Sequence, residues 1–178
     1  MAKVLFIIAK QGFRDKEYFI PKKILENAKH KIKTASNCEA GEIAVGADNS
    51  KVKIDLNIKN VKVDDFRAII FIGGPGALEN LDNEQSYQIA NKTVAQNKLL
   101  AAICVAPTIL AKAGILKGKK AAVWSSLSDK SGIKTLKNNG AEFIDKNVVQ
   151  DGNIITAHGP KAAQEFGEKI ANYLSTEE

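Results

Sequence analysis

Residues 99–105, running Leu99, Leu100, Ala101, Ala102, Ile103, Cys104, Val105, contain no polar or charged side chain and show no helical spacing. A run of that kind suits a strand buried on both faces, which is how parallel strands covered by helices on each side read. Immediately after it, Pro107 stands where a helix would start, good helix formers follow, and Gly114 supplies a stop. Cys104 therefore falls where a central strand turns sharply into a helix. Ala102 and Ala106 lie two residues to either side, and small residues around a reactive atom are the pattern of a nucleophile elbow. Amide donors at a helix start favour thiolate over thiol, so the junction predicts a nucleophilic sulfur. The competing reading is a core thiol, because free cysteine is among the most buried residue types.

The 178 residues are enough for one domain with a real core, and the expected unit is 1–178. Two cysteines, Cys38 and Cys104, make neither a disulfide framework nor a metal cluster, which points to a reducing cytoplasm and to no metal. The apolar start from Val4 to Ala9 is too short for a signal peptide or a membrane span, and it reads as a first strand. The net charge of +6 comes almost wholly from scattered lysines, with Arg14 and Arg67 the only arginines. No basic run is interleaved with aromatics, so a specific nucleic-acid partner is not expected.

Taken in order, strand one (Lys3 to Ala9) leads through a turn at Gln11 to Lys16 into a helix ending near Lys29, with Glu17 in its first turn. Lys31 to Ala35 is a second strand, Ser36 to Gly46 is loop-like, and Val52 to Leu56 alternates as an edge or hairpin strand. Cys38, in that loop, reads as an incidental or interface thiol. Phe66 to Ile72 is another buried strand, followed by Gly73, Gly74, Pro75, Gly76 and Ala77. Glu79 stands where a dinucleotide fingerprint would have its third glycine, so this turn is expected to present bare amides to a site rather than to cradle phosphates. Helices are expected at Ala77 to Leu81, Glu84 to Asn97 and Asp129 to Asn139, with a strand at Lys120 to Trp124. Asp151 and Gly152 mark a hairpin between Asn147 to Gln150 and Asn153 to Ala157, and Gly159 with Pro160 opens a last helix. Alternating strands and helices imply a three-layer α/β/α sandwich on a mostly parallel sheet with a C-terminal hairpin. Its sites belong at the carboxyl ends of the strands, where Glu17, Gly74, Cys104, Trp124 and His158 can converge.

These motifs together resemble the ThiJ/PfpI superfamily. The likeness rests on Gly12 through Glu17 to Pro21, Ile72 to Gly74 with Gly76 and Ala77, Ala101 to Cys104, Pro107 with Ala111 to Gly114, and Asp151 to Thr156 with Gly159 and Pro160. It covers nearly the whole chain and implies a flavodoxin-like fold, close to that of class I glutamine amidotransferases. The resemblance also implies a catalytic Cys104 with Glu17 as its acidic partner, and oxyanion donors in the amides of Gly74 and Val105. It implies no cofactor, and a homodimer or larger homo-oligomer. Gly73, Arg14, Trp124 and His158 are the remaining pocket candidates. The chain departs from the family pattern in three places. Val105 stands where the protease-like branch has a histidine, Trp124 where the deglycase-like branch has one, and His158 where that branch has an arginine. His30, the other histidine, lies past the first helix and reads as a surface residue.

Three functions follow as expectations. The first is a cysteine enzyme acting on small reactive carbonyls or early glycated adducts. The second is a redox-sensing thiol without turnover. The third is an intracellular peptidase, which the absence of a histidine after Cys104 disfavours. Amidotransferase chemistry is set aside because His158-Gly159-Pro160 lacks the late histidine-x-glutamate pair, and flavin binding because Gln11 to Arg14 makes a poor phosphate loop.

Overall fold

The computed structural model describes residues 1–176. Its strands are β1 (Lys3–Ile7), β2 (Gln11–Phe13), β3 (Lys31–Ser36), β4 (Ile43–Gly46), β5 (Lys51–Lys53), β6 (Leu56–Asn57), β7 (Ala68–Phe71), β8 (Leu99–Ile103), β9 (Lys120–Ala121), β10 (Glu142–Phe143), β11 (Val148–Asp151) and β12 (Ile154–Ala157). The helices are α1 (Asp15–Asn27), α2 (Ala77–Leu81), α3 (Glu84–Ala95), α4 (Pro107–Lys112), α5 (Ser131–Asn138) and α6 (Ala163–Thr176).

The main sheet runs β11-β12-β8-β7-β1-β3-β6, parallel except for the β11–β12 hairpin, as the sequence leads one to expect. Strand β8 lies between β7 and β12, and all five of its residues are buried. Successive side chains of a strand point to opposite faces. Leu99, Ala101 and Ile103 accordingly join one core, with Tyr18 and Leu25 of α1 and Phe166, Ile170 and Leu174 of α6. Leu100 and Ala102 join the other, with Ile89 of α3, Ile109 and Leu110 of α4 and Leu136 of α5. That division makes three layers. The α1–α6 contact is close at Gly167, where an added Cβ would lie 2.9 Å from the Cα of Pro21. It fixes the helix that carries Glu17.

Four local expectations are corrected. The segment Lys120 to Trp124 is not a strand of the main sheet: only Lys120–Ala121 is extended, and it pairs with β10 in a separate ribbon. Both edges of β12 are already taken by β8 and the returning β11, so the segment finds no free ladder there. It is tied in through the Thr156 hydroxyl, which accepts from the Ala122 amide at 2.9 Å. The turn at Gln11 to Lys16 contains β2, which pairs with β4, and the supposed loop up to Gly46 ends in β4, which pairs back to β5. Three residues around a Gly12 at φ 78° are too few to show an alternation. Finally, His30 is buried, and its Nδ1 accepts from the Ala2 amide at 3.1 Å.

Candidate active site

The elbow forms as the apolar run and Pro107 predict. Cys104 has φ 66°, left-handed backbone that a residue with a Cβ adopts only where its surroundings hold it there. They do so by hydrogen bonds on both sides: its amide donates to the Ala157 carbonyl of β12 at 2.9 Å, and its carbonyl accepts from the Trp124 amide at 2.8 Å. Pro107 then occupies the first turn of α4, where its missing N–H costs nothing.

Glu17 approaches from α1. It is fully buried, and its Oε2 accepts from the Gly73 amide at 3.2 Å. Its Oε1 is buried, and the carboxyl interacts with the Cys104 thiol. The backbone at Gly73 must be bare for these groups to meet. A Cβ there would lie 2.6 Å from the Cys104 Cβ and 3.0 Å from the Glu17 Oε2. Gly74 is held equally tightly, at φ 117° with an added Cβ 2.4 Å from the Arg14 amide.

Burial raises the Glu17 carboxyl to about 7, against smaller opposing effects from Cys104, the Arg14 charge and the Gly73 amide. The thiol is also pushed up, first by burial and then by the neighbouring carboxylate, while the amides of Gly74 and Val105 pull it down by donating to the sulfur. Burial thus works against the thiolate that the elbow alone favours. With only six residues, α4 offers a weak dipole, and burial of the sulfur outweighs it. Above pH 7 the two groups hold one proton between them, with Glu17 placed to take it from sulfur.

Cys104 opens into a hollow of about 250 Å³ walled by Arg14, Gly74, Pro75, Val105, Trp124 and Pro160. Of the expected site residues, Glu17 and Gly73 lie beneath the sulfur, and Arg14, Gly74, Val105 and Trp124 stand around it. His158 does not join them: it faces a different hollow, with Asp145, Lys146 and Lys161. Its amide donates to the Asn147 carbonyl at 2.9 Å, which ties its backbone to the segment leading into β11. The walls contributed by Pro75 and Pro160 escaped the sequence reading. Both stand next to a singled-out glycine, which was the available signal. Among the described residues no group of three His, Cys, Asp or Glu side chains could hold a metal ion, and no helix is long and apolar enough to cross a membrane.

A family model described as the DJ-1/PfpI family matches residues 2–173. An uncharacterized protein of Methanocaldococcus jannaschii is 40% identical over 95% of this chain and 80% of its own length. The protein named Deglycase PfpI from Pyrococcus furiosus is 35% identical over 89% of this chain and 90% of its own. Among solved structures, a ThiJ/PfpI domain protein from Brachyspira murdochii superimposes with a TM-score of 0.91 at 29% identity, over 98% of this chain and 96% of that one.

Proposed function

The chain belongs to the DJ-1/PfpI family, and on that footing we propose that it is a cofactor-free cysteine enzyme acting on reactive carbonyls and early glycated adducts. The observation that carries the reading is a thiol at a strained elbow against a buried carboxyl whose proton leaves near neutral pH. A general base works best when its pKa lies near the operating pH. Relatives named deglycases support the substrate class.

With methylglyoxal, the Cys104 sulfur attacks the aldehyde carbon as its proton passes to Glu17. The Gly74 and Val105 amides, which donate to the sulfur in the resting site, lie within reach of the oxyanion that develops one bond away. Glu17 returns that proton to the oxyanion, which gives a hemithioacetal and frees the carboxylate. Glu17 then takes the hydrogen from the former aldehyde carbon as a proton and delivers it to the neighbouring carbon, through an enediol. The product is a thioester of a 2-hydroxy acid, which water cleaves to free acid and thiol. An amine-borne adduct enters the same sequence after expelling its amine.

Consumption of methylglyoxal by wild type and by Cys104→Ala and Glu17→Gln tests this directly. Both variants are expected to be inactive, and wild-type kcat/KM is expected to rise with pH and level off above about 7. Undiminished turnover in the cysteine variant would end the proposal. A second reading, an oxidisable sensor thiol without turnover, is favoured by one observation: no histidine stands among the described residues lining the Cys104 hollow. Selective oxidation of Cys104 by mild peroxide, seen by mass spectrometry in a protein with no carbonyl turnover, would establish it instead. The same missing imidazole weighs against the peptidase reading, for which a relative named a putative cysteine protease, from Bacillus subtilis, speaks.

A further inference from the structure

Trp124 stands on the border of two hollows. One is the hollow of Cys104, and the second, of about 210 Å³, lies along the start of α5; Val105 and Trp124 line both. The Trp124 backbone is held in place there. The Trp124 amide donates to the Cys104 carbonyl, and an added Cβ on Gly159 would come within 3.2 Å of the indole Cδ1, so the ring packs on bare backbone. From the other side, a Cβ on Gly132 of α5 would lie 2.9 Å from the Trp124 carbonyl oxygen. These contacts fix the Trp124 backbone on both sides and seat its ring against Gly159, on the border between the two hollows.

The second hollow differs in chemistry from the first. Its wall includes Leu78, the hydroxyl-bearing Thr108 and Thr135, and two charged side chains, Lys112 and Asp129. Lys112 is engaged by Asp82. Asp129 uses Oδ1 to accept the Ser131 amide at 2.8 Å, which orients the carboxylate at the rim. A glycated amine has two parts: a two- or three-carbon fragment that must reach the sulfur, and the amine that bears it. When that amine is a guanidine, it keeps positive charge in the adduct.

We propose that the second hollow receives the guanidinium-bearing part of an arginine-derived adduct, with Asp129 pairing its charge and Trp124 dividing it from the fragment at Cys104. This rests on the carbonyl-adduct reading above. It makes Asp129 a specificity residue and distinguishes guanidine-borne adducts from free oxoaldehydes.

Trp124 is the single tryptophan of the chain, so intrinsic fluorescence reports on this border without any turnover. Titration compares Nα-acetylarginine amide with Nα-acetylcitrulline amide, which has nearly the same shape and no charge. The arginine compound is expected to change the fluorescence and to bind about fivefold more tightly than the citrulline compound, the size of a good exposed ion pair. Asp129→Asn keeps the Oδ1 acceptor for Ser131 and is expected to bring the two compounds to equal affinity. Equal affinity in wild type, or no response to the arginine compound at millimolar concentration, overturns the proposal. Loss of the reading beneath it would show separately, as carbonyl turnover that survives Cys104→Ala.

Discussion

Replacing Glu17 by glutamine should remove a pH dependence from the stability of the whole protein. The carboxyl is raised from 4.5 to about 7 by burial, so between those values the unfolded chain has shed a proton that the folded chain still holds. Stability falls with pH wherever the folded state binds more protons. The contribution is therefore intact below pH 4.5, is lost as pH rises, and is gone above about 7. At 1.36 kcal/mol per unit, the loss across the window is about 3 kcal/mol. Glutamine has the same shape, can still accept from Gly73 and does not titrate. Urea denaturation of wild type and Glu17→Gln from pH 4 to 8 should then show the variant gaining about 3 kcal/mol on wild type across the range, or roughly 6–12 °C in Tm for a chain of this size. Other titrating groups cancel in the difference, and in both proteins burial, the largest cause, pushes the Cys104 thiol up. Two curves that run parallel to within about 1 kcal/mol would mean an ordinary, hydrated carboxyl, and the proton-sharing pair would be refuted.

Cys104→Gly should be more stable than Cys104→Ala by about 1 kcal/mol in chemical denaturation, because only the alanine keeps a Cβ at φ 66°. Gly73→Ala should cost about 1–3 kcal/mol and most of the activity, since its Cβ would stand 2.6 Å from that of Cys104; calorimetry with the methylglyoxal assay checks both. Thr156→Val should destabilise by about 1–3 kcal/mol in the same urea assay, leaving the Ala122 amide buried without its acceptor.

A good part of the molecule can be read from local chemistry. An unbroken apolar run specifies a doubly covered strand wherever it occurs, which is why β8 and β7 are legible without coordinates. Pro107 after Cys104 marks the turn for the same kind of reason, through a fixed φ and an absent N–H, and Asp151 with Gly152 marks the hairpin through its tolerance of positive φ. Those signals placed Cys104 at the elbow. The family resemblance supplied Glu17 as its partner, because a lone acidic residue in a first helical turn carries no mark of burial.

What tertiary structure decided depends on residues far apart in the chain. The exclusion of Lys120 to Trp124 from the sheet follows from β11 having taken the edge of β12, and no local pattern encodes that competition. His158 lines a hollow with Asp145 and Lys146 rather than the one at Cys104, while His30 is enclosed by the amino terminus. The state of the sulfur depends on water most of all. A helix start after a cysteine suggests a lowered pKa, but the packing around Cys104 buries the sulfur beside Glu17, and that burial outweighs one short helix's dipole. Residue types fix which groups can ionise, and only the packing around them fixes the dielectric in which they do.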